Sequence, residues 1–351
     1  MTWIPDTIRQ ESVGADEIGV IHPHNGHVIE FAPSPADHPA VRWTGSGLLP
    51  GQARRIVSLL PSATEIVCAL NLADRLVAVT HECDYPAAAL EGVPRITANR
   101  LPPEVSGSRD IDAAVRSALT SGHGIYDLDE ARMAELQPDL VLTQELCRVC
   151  AVAYPMVVEA ARSAGGADGP VVVSLEPHSL ADVLATIEVV ARMAGVEERG
   201  RVLVDELRRR VDGVPRTKSP RRVAVIEWLD PLFAPGHWVP EQVVRAGGAP
   251  AIGWAGEPSR ELEWKDLAEA DPEVIVLGLC GFDLPTTLIE WASFEPPEPL
   301  TRTSAWRAGD VWAIDGSAYV SRPGPRLADG VEILAAILSG ARDPRAARIG
   351  N

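Results

Sequence analysis

One helix in the middle of the chain constrains the fold most, because the sequence on each side of it follows the same order of elements. Within residues 196–211, apolar side chains fall at positions 203, 204, 207 and 211, one face of a helix with about 3.6 residues per turn. Glutamates begin this segment and arginines end it, so the charged side chains oppose the helix dipole at both ends. At about 1.5 Å per residue the helix spans roughly 24 Å, enough to connect two lobes.

Buried strands, loops and helices alternate on both sides of this helix. Residues 55–60 predict an apolar strand before it, and residues 222–226 predict the corresponding strand after it. The segments 133–142 and 267–276 also match, since in each a helix stops before a proline and a buried strand follows. The predicted fold class is therefore α/β, with two Rossmann-like lobes of mainly parallel sheet joined by a single long helix. Ligands of such folds bind at the carboxyl ends of the strands, which here border the cleft between the lobes.

The sequence divides into four predicted segments, and both lobes are large enough to bury a core. Asn25-Gly26 marks a small β-hairpin in the first segment. The N-terminal extension with this hairpin, the first α/β lobe, the linking helices and the second α/β lobe occupy residues 1–52, 53–178, 179–215 and 216–351.

Charge and cysteine content narrow the classes of partner. A net charge of −17 argues against binding to nucleic acid and to anionic membrane surfaces. The five cysteines are an odd number without the pattern of a disulfide framework, and the first residues lack the regions of a secretory signal. No apolar run reaches the length of a transmembrane helix. We therefore expect a cytoplasmic protein with reduced thiols, no membrane insertion and a small-molecule ligand.

Polar and aromatic side chains follow the second predicted strand of the first lobe. His81, Glu82 and Tyr85 come directly after the strand at 76–80, in a loop that a proline closes. Loops at strand ends carry binding residues more often than the strands do, because a rigid scaffold positions them. We expect these three side chains to face the ligand; the alternative is an ordinary surface loop with Cys83 turned inwards.

A pair of cysteines follows the strand at 140–143. This strand ends in Gln144, and Cys147 and Cys150 form a Cys-x-x-Cys motif shortly after it. Such a motif can contact a ligand, form a redox disulfide, bind zinc, or simply pack a strand-to-helix turn. Structural zinc requires four ligands, and no second Cys-x-x-Cys exists, so we assign no metal to the protein itself. Ligand contact, redox chemistry and apolar packing all remain open.

The second lobe places aromatic residues in corresponding loops. Side chains that can contact a ligand follow the predicted strands of this lobe: aromatic rings, an imidazole, a thiol and a guanidinium group. They are Trp228, His237, Trp238, Cys280, Phe282, Tyr319 and Arg322. Aromatic rings in such loops suit a large, planar, partly apolar ligand better than a sugar phosphate. Arg326 lies at a helix start, where its charge opposes the dipole, so we expect it to have a carboxylate or carbonyl partner.

Five motifs, taken together and in order, indicate a family. Residues 55–65, 84–86, 136–142, 236–248 and 322–326 resemble the cobalamin-binding proteins of the helical-backbone class of ABC-transporter substrate-binding proteins. The resemblance covers residues 55–339 and implies a corrinoid, cobalamin or a related metal chelate, held between the lobes. Relatives in this class bind siderophores, haem and metals.

The resemblance also implies site residues and a partner. By position it assigns ligand contact to Pro61, Tyr85, Trp228, Tyr319 and Arg322. It implies docking on an ABC permease through one acidic side chain on each lobe, near Glu130 and Asp266. The absence of a secretion signal and of a lipid-anchor cysteine argues against this transport role.

Two functions of different classes follow from the sequence. The first is a binding protein for a corrinoid or related metal chelate. The second is an enzyme that has reused the cleft, with Cys147 or Cys150 as nucleophile and His81, Glu82 or His237 as base. Aromatic strand-end loops favour the first, and the two thiols are the reason for keeping the second.

Overall fold

The computed structural model describes residues 40–44, 51–121, 124–145, 154–165, 169–215 and 217–350. The predicted N-terminal hairpin lies outside these ranges. The strands in chain order are β1 Val41–Thr44, β2 Ile56–Ser58, β3 Leu76–Val79, β4 Thr97–Asn99, β5 Tyr126–Leu128, β6 Leu140–Thr143, β7 Val171–Leu175, β8 Arg222–Ile226, β9 Phe233–Ala234, β10 Ala249–Pro250, β11 Arg260–Glu261, β12 Val274–Leu277, β13 Val311–Ile314 and β14 Ala346–Arg348.

Helices alternate with these strands along the described chain. In chain order they are α1 Pro61–Ala69, α2 Ser108–Thr120, α3 Glu130–Leu136, α4 Tyr154–Gly165, α5 Leu180–Met193, α6 Glu197–Asp212, α7 Val239–Arg245, α8 Trp264–Ala270, α9 Leu284–Ser293, α10 Glu298–Thr301, α11 Ser304–Arg307 and α12 Leu327–Ser339. A short π-helical turn spans Ser317–Ser321. No helix in the described ranges is both long and apolar enough to cross a bilayer.

Two five-stranded sheets confirm the predicted α/β fold of two lobes. The first has the order β1-β7-β6-β2-β3, and the second has the order β10-β8-β12-β13-β14. All neighbours in both sheets are parallel except one edge strand in each, β1 and β14. The central strands β6, β7 and β12 are buried along their whole length, in agreement with their largely apolar sequences.

Strand β1 was not anticipated. It pairs antiparallel with β7 and so joins the sheet of the first lobe, although its residues fall in the segment assigned to the N-terminal extension. Its sequence, VRWT, contains the strand-favouring residues Val, Trp and Thr, but a run of four after the proline-rich segment 33–39 is too short to predict a strand. Edge strands of this kind are fixed by their partner rather than by their own sequence.

The linking helices α5 and α6 pack on one face of each sheet. Ile187, Val204 and Leu207 belong to the first-lobe cluster that contains Ile56, while Val183 of α5 belongs to the second-lobe cluster. Helix α6 begins and ends as the sequence predicts, with Val196 and Gly213 as its caps. Ser179 caps α5 in a capping box with Asp182, which fixes where the chain leaves β7.

Candidate functional site

The strand-end loops of the two lobes contact each other directly. Arg322, which follows β13 in the second lobe, donates hydrogen bonds to Asp84 Oδ1 at 2.5 Å and to the Glu82 carbonyl at 3.2 Å, both after β3 in the first lobe. Its other partner is Glu65 of α1, with Oε1 3.5 Å away. The carboxyl ends of both sheets therefore face the same inter-lobe space, as the fold class predicts.

A buried ion pair joins the lobes beside this contact. Glu65 is 4% exposed, and Arg326 donates to both of its carboxylate oxygens, at 2.8 Å to Oε2 and 2.5 Å to Oε1. Burial raises the pKa of the Glu65 carboxyl, while the hydrogen bonds and charge of Arg326 act against that rise. Arg326 thus has the carboxylate partner that its place at a helix start led us to expect.

Tyr85 presents an aromatic ring next to this pair. The guanidinium carbon of Arg326 lies 4.3 Å from the ring centroid, yet the residue remains 48% exposed. Cys83, two residues earlier in the same loop, is buried, and its sulfur lies 3.0 Å from Thr64 Oγ1 of α1. This contact anchors the loop to the first lobe. One ring face is therefore covered by a cation and the rest is available for stacking.

On the second lobe, Glu227 and Trp228 follow β8. The Trp228 ring lies 5.3 Å from that of Phe282, and Cys280 donates its backbone N–H to the Glu227 carbonyl. Burial raises the pKa of the Glu227 carboxyl to about 8, although a 2.6 Å hydrogen bond from the Ser259 hydroxyl lowers it. Phe282 is 9% exposed and belongs to the buried cluster of this lobe, which the expectation of ligand contact did not anticipate, whereas Trp228 is partly exposed. Near neutral pH this strand end therefore presents part of the Trp228 ring and an uncharged carboxyl group.

His237 occupies the loop before α7 in a left-handed backbone conformation with φ of 48°. Burial lowers the pKa of its imidazole to about 4, and the nearby His178 ring, 5.3 Å away, acts in the same direction. Within the described part of the chain, its buried Nδ1 has no hydrogen-bond partner. His237 is thus a neutral imidazole near the point where the first lobe leads into α5.

Helix α2 belongs to the first lobe but is attached to the second. The backbone N–H and hydroxyl of Ser108 both donate to Glu290 Oε1, at 2.9 and 2.5 Å, and Trp228 Nε1 donates to the Ser108 carbonyl at 3.0 Å. Arg109 and Arg116 pair with second-lobe carboxylates, those of Asp230 and Glu261. No side chain of its own caps α2, so the carboxylate of Glu290 supplies the cap across the cleft.

The position of α2 closes the cleft on the side away from the linking helices. Its Val115 and Ala118 pack on the first-lobe cluster that contains Val57, on the sheet face opposite α5 and α6. Its Ile111 packs on the corresponding opposite face of the second lobe. The lobes are therefore joined on both faces of their sheets, by α5 and α6 on one and by α2 on the other.

This arrangement predicts that Glu290→Ala frees the start of α2. Losing an N-terminal cap costs about 0.5–2 kcal/mol, so local opening of the first turn should become roughly 2- to 30-fold more frequent. Limited digestion with trypsin measures this as faster cleavage after Arg109, which lies in that first turn. Ser117→Ala, which changes an exposed side chain on the same helix, should change that rate little. Equal cleavage rates in wild type and Glu290→Ala would contradict the capping role.

The remaining predicted residues of the first lobe are largely engaged within it. Pro61 is buried as the first residue of α1. His81 Nδ1 lies 2.7 Å from Thr97 Oγ1, and Glu82 Oε1 accepts a 2.9 Å hydrogen bond from the Tyr126 hydroxyl. Gln144 is 6% exposed, and its amide nitrogen has no partner among the described residues.

In the second lobe, Trp238 does not have the exposed position expected of it. It is 4% exposed, its Nε1 donates to the Val320 carbonyl at 2.8 Å, and it belongs to the core cluster. Helix α7 begins directly after it, which directs the ring inwards. Tyr319 is partly buried in the π-helical turn, with Arg345 5.8 Å from its ring centroid. Cys280 is partly buried.

Some residues escaped the sequence analysis, and two of its candidates cannot be placed. Cys147 and Cys150 lie outside the described residues, so their proposed roles stay predictions. Glu65, Glu227 and Glu290 were not singled out, because each lies in an ordinary amphipathic helix or at a strand end with many polar neighbours. The polar segment 106–124 was recognised as an excursion, but nothing in its sequence names the lobe that it contacts.

Comparisons with known proteins agree with this fold. The profile of a family described as "Periplasmic binding protein" matches residues 56–307. A vitamin B12-binding protein of Vibrio cholerae serotype O1 is 24% identical over 296 residues, covering 81% of this chain and 88% of that protein. A periplasmic haem-binding protein of Pseudomonas aeruginosa superposes with a TM-score of 0.61 at 21% identity, over 86% of this chain and 99% of that one. An ABC-type Fe³⁺-hydroxamate transport protein of Saccharomonospora viridis gives a TM-score of 0.57 at 22% identity, over 83% and 94%.

Proposed function

The chain belongs to the periplasmic binding protein family, and we propose that it binds a metal chelate, preferably a corrinoid such as cobalamin, between its two lobes. The named relatives bind vitamin B12 or haem, or belong to an Fe³⁺-hydroxamate transport system. Each of these ligands is a metal enclosed by a large organic group. That common feature supports the ligand class, and the residues of the cleft support the choice within it.

The observation that carries the proposal is aromatic surface on both sides of the inter-lobe space. Tyr85 lies on the first lobe with 48% of its surface exposed. On the second lobe lies the partly buried ring of Trp228, supported from behind by the buried Phe282. Contacts of Arg322 and Trp228 across the lobes bring these two sides together. A wide, flat molecule can bury apolar area against both at once.

Charge favours a corrinoid over haem. Haem carries two carboxylates, which bind best to free cations, whereas the side chains of a corrinoid end mainly in neutral amides. Arg322 and Arg326 already pair with Asp84 and Glu65. The uncharged carboxyl of Glu227 can donate a hydrogen bond to an amide carbonyl, which an ionised carboxylate cannot do. A neutral, amide-rich ligand thus fits this strand end better than an anionic one.

Absorbance titration of the purified protein with cyanocobalamin, dicyanocobinamide and haemin tests the proposal. We expect saturable binding with one ligand per protein, and tighter binding of a corrinoid than of haemin. Absence of saturable binding for all three would contradict the proposed ligand class. Tighter binding of haemin would retain the class and overturn the corrinoid preference.

Trp228→Ala should weaken this binding more than any other single change on the second lobe. Removing an aromatic anchor from a desolvated contact costs about 2 kcal/mol or more, or roughly 30-fold in affinity. Trp312→Ala is the matched control, because Trp312 is also partly buried but lies at the opposite, amino-terminal end of its strand. Equal affinities for both variants would place the ligand elsewhere.

Binding is preferred over catalysis because the aromatic side chains at the strand ends support a bound ligand, whereas two of the three bases named for a reaction are already hydrogen bonded. The nucleophiles that catalysis requires, Cys147 and Cys150, lie outside the described residues, and His81 and Glu82 are hydrogen bonded within the first lobe. We further propose that the protein acts in the cytoplasm, where an odd number of cysteines without the pattern of a disulfide framework stays reduced. Substrate-binding proteins of ABC transporters deliver their ligand by docking on a permease. The proposed ligand binding does not depend on that docking step.

A further inference from the structure

We propose that Arg326 is a positioning residue that holds the ring of Tyr85 in place for the ligand, and that Glu65 holds Arg326. This inference rests on the proposed function, because it assigns Tyr85 to the ligand site. Arg326 belongs to the second lobe, whereas Tyr85 and Glu65 belong to the first. One ligand contact of the first lobe is therefore oriented from the second.

The geometry at Arg326 is that of a clamp with two partners. Its guanidinium group makes a two-pronged hydrogen bond with Glu65, and its carbon lies 4.3 Å from the centroid of the Tyr85 ring. A guanidinium plane can form a two-pronged carboxylate contact and stack on an aromatic face at once, which an ammonium group cannot do. Because Glu65 is buried, the pair has little freedom to move.

Neighbouring contacts hold the loop of Tyr85 at the same place. Arg322 binds Asp84 and the Glu82 carbonyl, the residues just before Tyr85. A Cβ atom on Gly324, which lies between the two arginines, would meet Ser62 and Glu65 of α1 at 3.5–3.7 Å. The segment 322–326 thus lies directly against α1, and it fixes both the backbone and the ring at the end of the loop.

A consequence follows for ligand binding. Tyr85 has the described orientation only while the two lobes keep their present arrangement, because the residue that orients it lies on the other lobe. Movement of the lobes apart would release the ring, raising its conformational freedom and lowering its value as a stacking surface. Affinity for a flat ligand is therefore coupled to the inter-lobe ion pair.

Fluorine NMR of protein containing 3-fluorotyrosine tests this proposal without any ligand. The chain has four tyrosines, and the signal lost in Tyr85→Phe identifies that of Tyr85. In Arg326→Lys, which keeps the charge but cannot form the two-pronged contact, we expect this signal to move towards the position of free 3-fluorotyrosine. The other three signals should stay in place. An unmoved Tyr85 signal in folded Arg326→Lys would overturn the proposal.

Glu65→Gln is a second variant for the same experiment, since it keeps the size of Glu65 and removes only its charge. It should shift the Tyr85 signal in the same direction by a smaller amount. Should Arg326→Lys fail to fold, this variant decides: an unmoved signal overturns the clamp.

A double-mutant cycle then separates positioning from general structural damage. With cyanocobalamin as the probe, Arg326→Lys should weaken binding roughly three- to tenfold in the wild-type background. In a Tyr85→Ala background the same change should have little further effect, because its target is gone. Equal losses in both backgrounds would contradict the clamp. If none of cyanocobalamin, dicyanocobinamide and haemin binds the wild type, the proposed function fails at this step while the NMR result still stands.

Discussion

Glu65→Ala is expected to lower the free energy of unfolding by roughly 3–5 kcal/mol, the cost of leaving a buried charge without its partner. Two arginines, Arg326 and Arg322, would lose the carboxylate between them, and both have little exposed side-chain surface. Since the pair joins two lobes, its loss should also weaken their contact. Chemical denaturation, monitored by tryptophan fluorescence, measures the change.

The control for this prediction is an ion pair of the same type in an exposed place. Glu198 and Arg201 pair on the surface of α6, where solvent screens their charges. Glu198→Ala should leave the unfolding transition close to that of the wild type. Replacing Glu65 and Arg326 together with leucine should recover part of the loss, because apolar replacement of a whole buried pair avoids the unpaired charge. A Glu65→Ala transition no lower than that of Glu198→Ala would contradict the account.

The second large effect is a pH dependence that arises from Glu227. Its pKa is about 8 in the folded protein, against 4.5 ordinarily, so between these values the folded state binds a proton that the unfolded state does not. The stabilisation by this bound proton is therefore complete below about pH 4.5. It decreases as the pH rises and is lost once the pH has risen through about 8. The slope is about 1.4 kcal/mol per pH unit.

The window from pH 6.5 to 8 shows this effect most clearly. His237 has a lowered pKa of about 4, against 6.5 ordinarily, so it destabilises the folded state only as the pH falls below 6.5. Within the window the wild type should lose about 2 kcal/mol relative to Glu227→Gln, whose side chain stays neutral. Thermal denaturation at several pH values measures this difference.

Glu206→Gln serves as the control for Glu227→Gln, because Glu206 is exposed on α6. It should leave the slope of stability against pH unchanged. A constant difference between the wild type and Glu227→Gln from pH 6.5 to 8 would show that the carboxyl is not held protonated. The same result would remove the hydrogen-bond donor on which the preference for an amide-rich ligand depends.

The sheets and the linking helix could be derived from the sequence because their signals are local. Strands β6 and β8 consist mainly of apolar residues, and their observed bounds match the predicted 140–143 and 222–226. In α6, Val204 and Leu207 are buried, as the apolar period requires. Such patterns indicate which face of a helix or strand is buried, whichever element packs against it.

Contacts between the lobes could not be derived in this way. Glu65 and Arg326 are 261 residues apart, and no local pattern in either segment names a partner at that separation. The sequence predicted that Arg326 has a carboxylate or carbonyl partner, but it could not name which. For the same reason, segment 106–124 was recognised without its attachment to the second lobe.

Trp238 illustrates the opposite difficulty, a side chain whose neighbours misrepresent its environment. Gly236 and His237 precede it, which suggests an open loop. Instead α7 begins at the next residue, and the ring enters the core of the second lobe. Aromatic residues serve cores and ligand sites equally well, so only the tertiary structure separates Trp238 from Trp228.

Hydrogen exchange with and without saturating cyanocobalamin tests the central claim most directly, since it reports on both lobes of one molecule. The account predicts that bound ligand slows exchange in two separate regions together, residues 81–86 of the first lobe and residues 227–233 with 278–283 of the second. Protection confined to one lobe, or located away from the strand ends, would contradict binding between the lobes.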